Sequence, residues 1–144
     1  VADSYAYCAS ADLTTRYGDE ALLQASDRDG LGVVNTALVT AACADATELM
    51  DGYLGERYTL PLTPVTGIVL GWACAIAWYK LQFSPRDEDR LAYTDALDQL
   101  ERARLGKLVL QANGIADVGI AVEGDAIEIS GGPRVFTSCS LRHF

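Results

Sequence analysis

Histidine is almost missing from this sequence: His143, second from the end, is the only one. That removes most nucleophile–histidine–acid arrangements and any multi-histidine metal site. A lone histidine in a terminal stretch is by default incidental. Basic residues are also scarce. Eleven Lys and Arg face 20 Asp and Glu, the net charge is −9, and no Lys/Arg cluster occurs. Proteins that grip DNA or RNA displace counterions with basic patches, so nucleic-acid binding is not expected. The four cysteines, Cys8, Cys43, Cys74 and Cys139, include no C-x-x-C pair, so the sequence supports no zinc site. An even count leaves two disulfides open. Cys43 and Cys74, however, fall in apolar helical segments, where a free thiol packs as a small hydrophobe, and reduced buried thiols are expected. Phosphate-loop, dinucleotide and metalloprotease motifs are all missing, and Ser138 and Ser140 beside Cys139 make no nucleophile motif. The start, Val1-Ala2-Asp3, lacks a basic region leading into an apolar core, so no secretory signal is expected. No internal repeat or low-complexity run is visible.

What is present suits one globular domain. The chain has 144 residues, 50% hydrophobic and 22% charged, enough to bury a core. One uncharged run, Thr59 to Tyr79, has 21 residues and the length of a bilayer span. Pro61 and Pro64 interrupt its front, leaving about four turns of helix, so a buried core helix is the expectation.

Residues 1–9 read as an N-terminal arm. Ser10 caps a short helix, Ala11 to Tyr17, stopped by Gly18. A second runs from Asp19 to Ala25, with acids in its first turn. After a turn-rich loop, Asn35 caps the first long helix, which runs to about Tyr53. Leu38, Ala42, Ala46 (or Asp45), Leu49 and Tyr53 form its apolar stripe. Thr63-Pro64 reads as N-cap and first residue of the second long helix, which ends near Phe83. It is apolar almost all round, as expected of a helix surrounded by its own bundle or by neighbouring subunits. Ser84-Pro85 opens the third, from about Arg86 to Gly106, with an apolar seam of Tyr93, Leu97 and Leu100. Asp87, Glu88 and Asp89 in its first turn, and Arg102, Arg104 and Lys107 at its end, match the helix dipole. Beyond Gly114, residues 118–122 and 126–129 read as strands of a hairpin about Glu123-Gly124-Asp125. The expected fold is mainly α: a helical domain over 10–110, a β-hairpin appendage over 111–130, and an extended docking tail over 131–144.

Two constellations invite a chemical reading. Asp27, Asp29 and Gly32 match positions one, three and six of a calcium-binding loop, but Leu31 and Leu38 occupy positions five and twelve, where oxygen ligands are needed. An Asx-type turn is the simpler reading, with Asp27 and Asp29 kept as weak metal candidates. Trp72, Trp78 and Tyr79 could cage a ligand, but at helical spacing in an apolar run they are more often core or subunit interface. Ile76 joins them as a candidate interface residue. No cofactor is expected.

Taken in order, the chain carries Tyr7-x-x-x-x-Asp12-Leu13, Tyr17-Gly18-Asp19-Glu20 and Ser26-Asp27-Arg28-Asp29-Gly30. Then come Asp51-Gly52-Tyr53-Leu54, Arg57-Tyr58 and Leu60-Pro61-Leu62, followed by Ala73-Cys74-x-Ile76-Ala77 and Tyr93-x-x-Ala96-Leu97. This succession resembles the head–tail connector (neck) proteins of Mu-like bacteriophages, over about residues 5–110. The segment from Asp51 to Leu62 is the most specific part. Arg134-Val135-Phe136 and Ser140-Leu141-Arg142 resemble that family's ending. Members often carry a third acid where this chain has Leu31.

The resemblance implies a structural subunit rather than an enzyme: a ring, twelve-fold by portal precedent, seated on the portal protein. It would extend the channel through which genomic DNA passes without specific binding, and dock the next neck or tail-terminator protein. Its place would be the virion neck, and the host cytoplasm during assembly, with no membrane. Candidate interface residues in the tail are Arg134, Val135, Phe136, Leu141 and Phe144. Two other readings stay open: a stopper or tail-terminator subunit, and a small metal-binding regulator or enzyme using Asp27 and Asp29.

Overall fold

Gly18 sets the first corner. Its φ of 90° lies where residues with a Cβ are strained, and it joins two eight-residue helices end to end. These are α1 (Ser10–Tyr17) and α2 (Asp19–Ser26). Three longer helices follow, α3 (Thr36–Leu54), α4 (Gly67–Leu81) and α5 (Asp87–Arg104). The computed structural model describes residues 5–111. Among them the protein is helical, with no strand. The expected hairpin and the tail, with Arg134, Val135, Phe136, Leu141 and Phe144, lie outside the described residues.

Caps explain most helix starts. The Asn35 side chain accepts from Leu38 N–H at 3.2 Å and opens α3 as expected. At α1 the reciprocal half of a cap appears: Ala9 N–H donates to Asp12 Oδ2 at 2.8 Å, which starts the helix at Ser10. Helix α4 begins three residues later than Pro64. Thr66 takes the extended cap conformation and its carbonyl accepts from Leu70 N–H at 2.9 Å, so Thr63 and Pro64 belong to the preceding loop. In α5 Arg86 holds the cap position, and Asp89 in the first turn accepts from its N–H.

The core forms where α3, α4 and α5 pack on one another, with α1 and α2 lying across α3 and α4. In α3 the centre of the buried face is Val39, Cys43, Ala46, Met50 and Leu54. The expected stripe through Leu38, Leu49 and Tyr53 is only half-buried at its border. The face is turned by one residue because α1 and the N-terminal segment also cover this helix. Helix α4 buries Val69, Trp72, Ala73, Cys74, Ile76, Ala77, Trp78 and Leu81 against α1, α3 and α5. Most of its apolar circumference is thus used within one chain, with Ile68 left exposed. Leu100 is fully buried on α5, with Ala96 and Ala103.

Two buried polar side chains tie segments to this frame. Ser26 Oγ donates to the Leu22 carbonyl at 2.7 Å and accepts from Asn35 N–H at 3.3 Å, closing the loop between α2 and α3. Thr47 Oγ1 donates to the Cys43 carbonyl at 2.9 Å and accepts from Tyr7 N–H at 3.1 Å, fastening the N-terminal segment to α3. Within the N-terminal arm read as residues 1–9, Tyr7 and Cys8 are core residues.

Candidate interaction surface

The Asp27 loop is a turn closed by its own backbone. Leu31 N–H donates to Asp27 Oδ1 at 2.8 Å and Gly32 N–H to Oδ2 at 2.7 Å. The Gly32 and Leu31 amides hold the Asp27 carboxyl below the usual aspartate range. Each carboxylate oxygen thus accepts one backbone hydrogen bond, and Asp29 is exposed. Among the described residues, no group of three or more His, Cys, Asp or Glu side chains is placed to hold a metal ion.

The aromatic residues expected at a subunit interface divide. Trp72, Ile76 and Trp78 are core residues of this chain, and Tyr79 is half-buried. Trp72 donates from its indole to Gln99 Oε1 at 2.6 Å, which links α4 to α5. Tyr79 stacks on Tyr93 with ring centroids 4.2 Å apart, and Tyr17 stacks on Trp78 at 4.1 Å. These are intramolecular contacts, so a ligand cage or a lateral interface built on Trp72 and Ile76 would require opening the core, whereas Trp78 also lines a surface groove. Sequence reading did not separate the two cases, because an apolar helix looks the same inside a bundle and between subunits.

Sequence reading also missed a hub at the end of α3. The Tyr7 hydroxyl donates to Asp51 Oδ1 at 2.6 Å and accepts from Leu62 N–H at 3.3 Å. Tyr5 donates to the other Asp51 oxygen. Burial, then the Asp51 carboxylate, pushes the Tyr7 phenol far above its usual range. Nearby, Leu110 N–H donates to the Tyr58 hydroxyl at 3.1 Å. The Asp51-to-Leu62 string that carried the family resemblance is thus the clamp where the two flanks of the bundle are fixed. Tyrosines at such long separation gave no local signal.

Three free cysteines, Cys8, Cys43 and Cys74, are buried together between the N-terminal segment, α3 and α4. The neighbouring Cys43 and Cys74 thiols, and then burial, raise the Cys8 thiol above its usual value. Cys139 lies outside the described residues.

Among the described residues, a groove of about 800 Å³ lies between α2 and the α4–α5 connection. Tyr17 and Trp78 line it from the core side, Asp27 and Arg28 from one edge, and Phe83 and Arg86 from the other. Phe83 is 90% exposed. Leu31 and Val33, on the loop continuing from Arg28, are also exposed. A large solvated aromatic beside a groove marks a binding surface more often than a reactive one.

These features define a small helical-bundle protein whose conspicuous surface suits contact with another molecule. The family described as "Bacteriophage Mu, Gp36" matches residues 7–122, and the chain belongs to that family. It is similar to Gene product J of Escherichia phage Mu, 31% identical over 140 residues that span 91% of this chain and 94% of that protein. It is also similar to the Mu-like prophage FluMu protein gp36 of Haemophilus influenzae, 29% identical over 136 residues, 94% of this chain and 91% of that one. The chain is therefore a Mu-like phage protein. No helix among the described residues is long and apolar enough to cross a membrane.

Proposed function

We propose that this protein is a head–tail connector subunit of the phage neck. It acts by binding, with no turnover and no cofactor. Copies form a ring on the portal protein, twelve in number if the ring follows the portal, which extends the DNA channel and docks the next neck or tail-terminator component. It occupies the virion neck after assembly in the host cytoplasm. The observation that carries this reading is the family match over most of the chain, residues 7–122. A net charge of −9 supports it, because acids facing a channel repel phosphates and let the genome slide. The metal-binding alternative has less support, since among the described residues no group of three or more His, Cys, Asp or Glu side chains is placed to hold a metal ion.

Electron microscopy of lysates from a phage lacking this gene tests the proposal. Filled or freshly emptied heads beside separate, complete tails are expected, with joining restored by the purified protein. Normally joined virions from the mutant would overturn it. A ring contacting the tail side but not the portal would favour the stopper or tail-terminator role.

A further inference from the structure

The bundle has two unlike ends. Helix α3 ends at the Tyr7–Asp51–Leu62 hub, and α5 returns to that end, where Leu110 meets Tyr58. The described residues end at Gln111, beside the hub. The groove of Tyr17, Trp78 and Phe83 sits at the opposite end, formed by α2 and the turn between α4 and α5.

The groove's chemistry specifies what would fill it. Its floor is aromatic, and its edges hold three acids, Asp27, Glu88 and Asp89, against two bases, Arg28 and Arg86. A complementary segment needs apolar anchors and a basic balance, in an extended or turn-rich chain. Residues 131–144, GGPRVFTSCSLRHF, have that composition: Arg134 and Arg142, no acid, and Phe136, Leu141 and Phe144 as anchors.

We propose that residues 131–144 of one copy seat in the Tyr17–Trp78–Phe83 groove of a second copy. The described chain ends at one end of the bundle and the groove lies at the other, so the proposed contact is head-to-tail. Head-to-tail contacts are heterologous, and they close into a ring when the rotation between copies divides a full turn. Phe83 supplies a stacking face for Phe136 or Phe144, and the acids at the groove edge receive Arg134 and Arg142. This deepens the ring reading above by naming the surfaces that join its subunits.

The test uses the full-length chain with Phe83 replaced by a photoreactive benzophenone amino acid. Phe83 is exposed, so the replacement leaves the core untouched. Equal amounts of unlabelled and nitrogen-15-labelled protein are mixed, irradiated and mapped by mass spectrometry. Mixed-isotope cross-links from position 83 to residues 131–144 are expected. Phe136→Ala should lower their yield about tenfold, as loss of a buried aromatic anchor does. Cross-links confined to one chain, cross-links to any other segment, or none at all would each overturn the proposal. Its failure is separable from that of the neck reading: protein that does not cross-link this way but still restores head–tail joining removes the groove contact alone.

Discussion

The Tyr7 hydroxyl and the Asp51 carboxylate, 44 residues apart, meet at 2.6 Å. The same hydroxyl accepts from Leu62 N–H, so one oxygen joins the N-terminal segment, the end of α3 and the loop that follows. Hydrogen bonds to a charged group are worth more than neutral ones, and the buried Leu62 amide has no obvious substitute partner. Tyr7→Phe should lower stability by about 1–3 kcal/mol in urea unfolding. A change below about 0.5 kcal/mol, the range of ordinary surface substitutions, would remove the hub from the account of stability.

Thr47 provides a second check on the same segment. Thr47→Val keeps the shape but leaves Tyr7 N–H without its acceptor, at an expected cost of about 1–3 kcal/mol. Hydrogen exchange at Tyr7 should quicken markedly in this variant. Unchanged protection there would mean the amide is held another way.

Ile76 and Phe83 should behave oppositely. Ile76 is fully buried, so Ile76→Ala should cost about 2–5 kcal/mol through lost burial and the cavity left behind. Phe83→Ser should stay within about 0.5 kcal/mol of the parent, because its ring is already in water. Thermal or urea unfolding of the two variants distinguishes core from surface. Equal losses would contradict the burial described above.

The pH response of the Asp27 turn follows from its depressed carboxyl. Its folded pKa lies below its unfolded value, so its contribution is complete above the unfolded range and fades as pH falls through the folded pKa. In carboxyl NMR titration Asp27 should have a midpoint below the ordinary value of about 3.9. Asp27→Asn should lose less stability than the parent on acidification. A midpoint at or above the ordinary value would show that the amides of Gly32 and Leu31 do not hold the carboxylate in solution.

The thiols can be read directly. In a Cys139→Ser background, Cys8, Cys43 and Cys74 should resist a disulfide reagent while the protein is folded and react when it is unfolded. Prompt reaction in the native state would show that the N-terminal segment opens readily.

Much of the fold was legible from local chemistry. Asn35, Gly18 and the acids of α5 gave helix ends because capping and backbone freedom act over a few residues. The start of α4 was misplaced at Pro64 because proline marks a first turn only when the cap before it is free to form, and here Thr66 takes that position. The rotation of the α3 face came from residues far away in sequence, which no window of periodicity contains. For the same reason the Asp51-to-Leu62 string was recognisable by resemblance while its physical role was hidden: its partners, Tyr5, Tyr7 and Leu110, come from both flanks. The groove was invisible until α2 and the α4–α5 turn were placed side by side.

The clamp at the end of α3 also has a mechanical meaning. Tension entering through the N-terminal segment reaches Asp51, and tension entering beyond α5 reaches Tyr58, seven positions further along the chain. A pull on the two flanks is therefore balanced across one short stretch of backbone, and little of it travels along the helices. A chain strained through its two flanks would keep the far end, with Phe83 and its groove, in an unloaded shape.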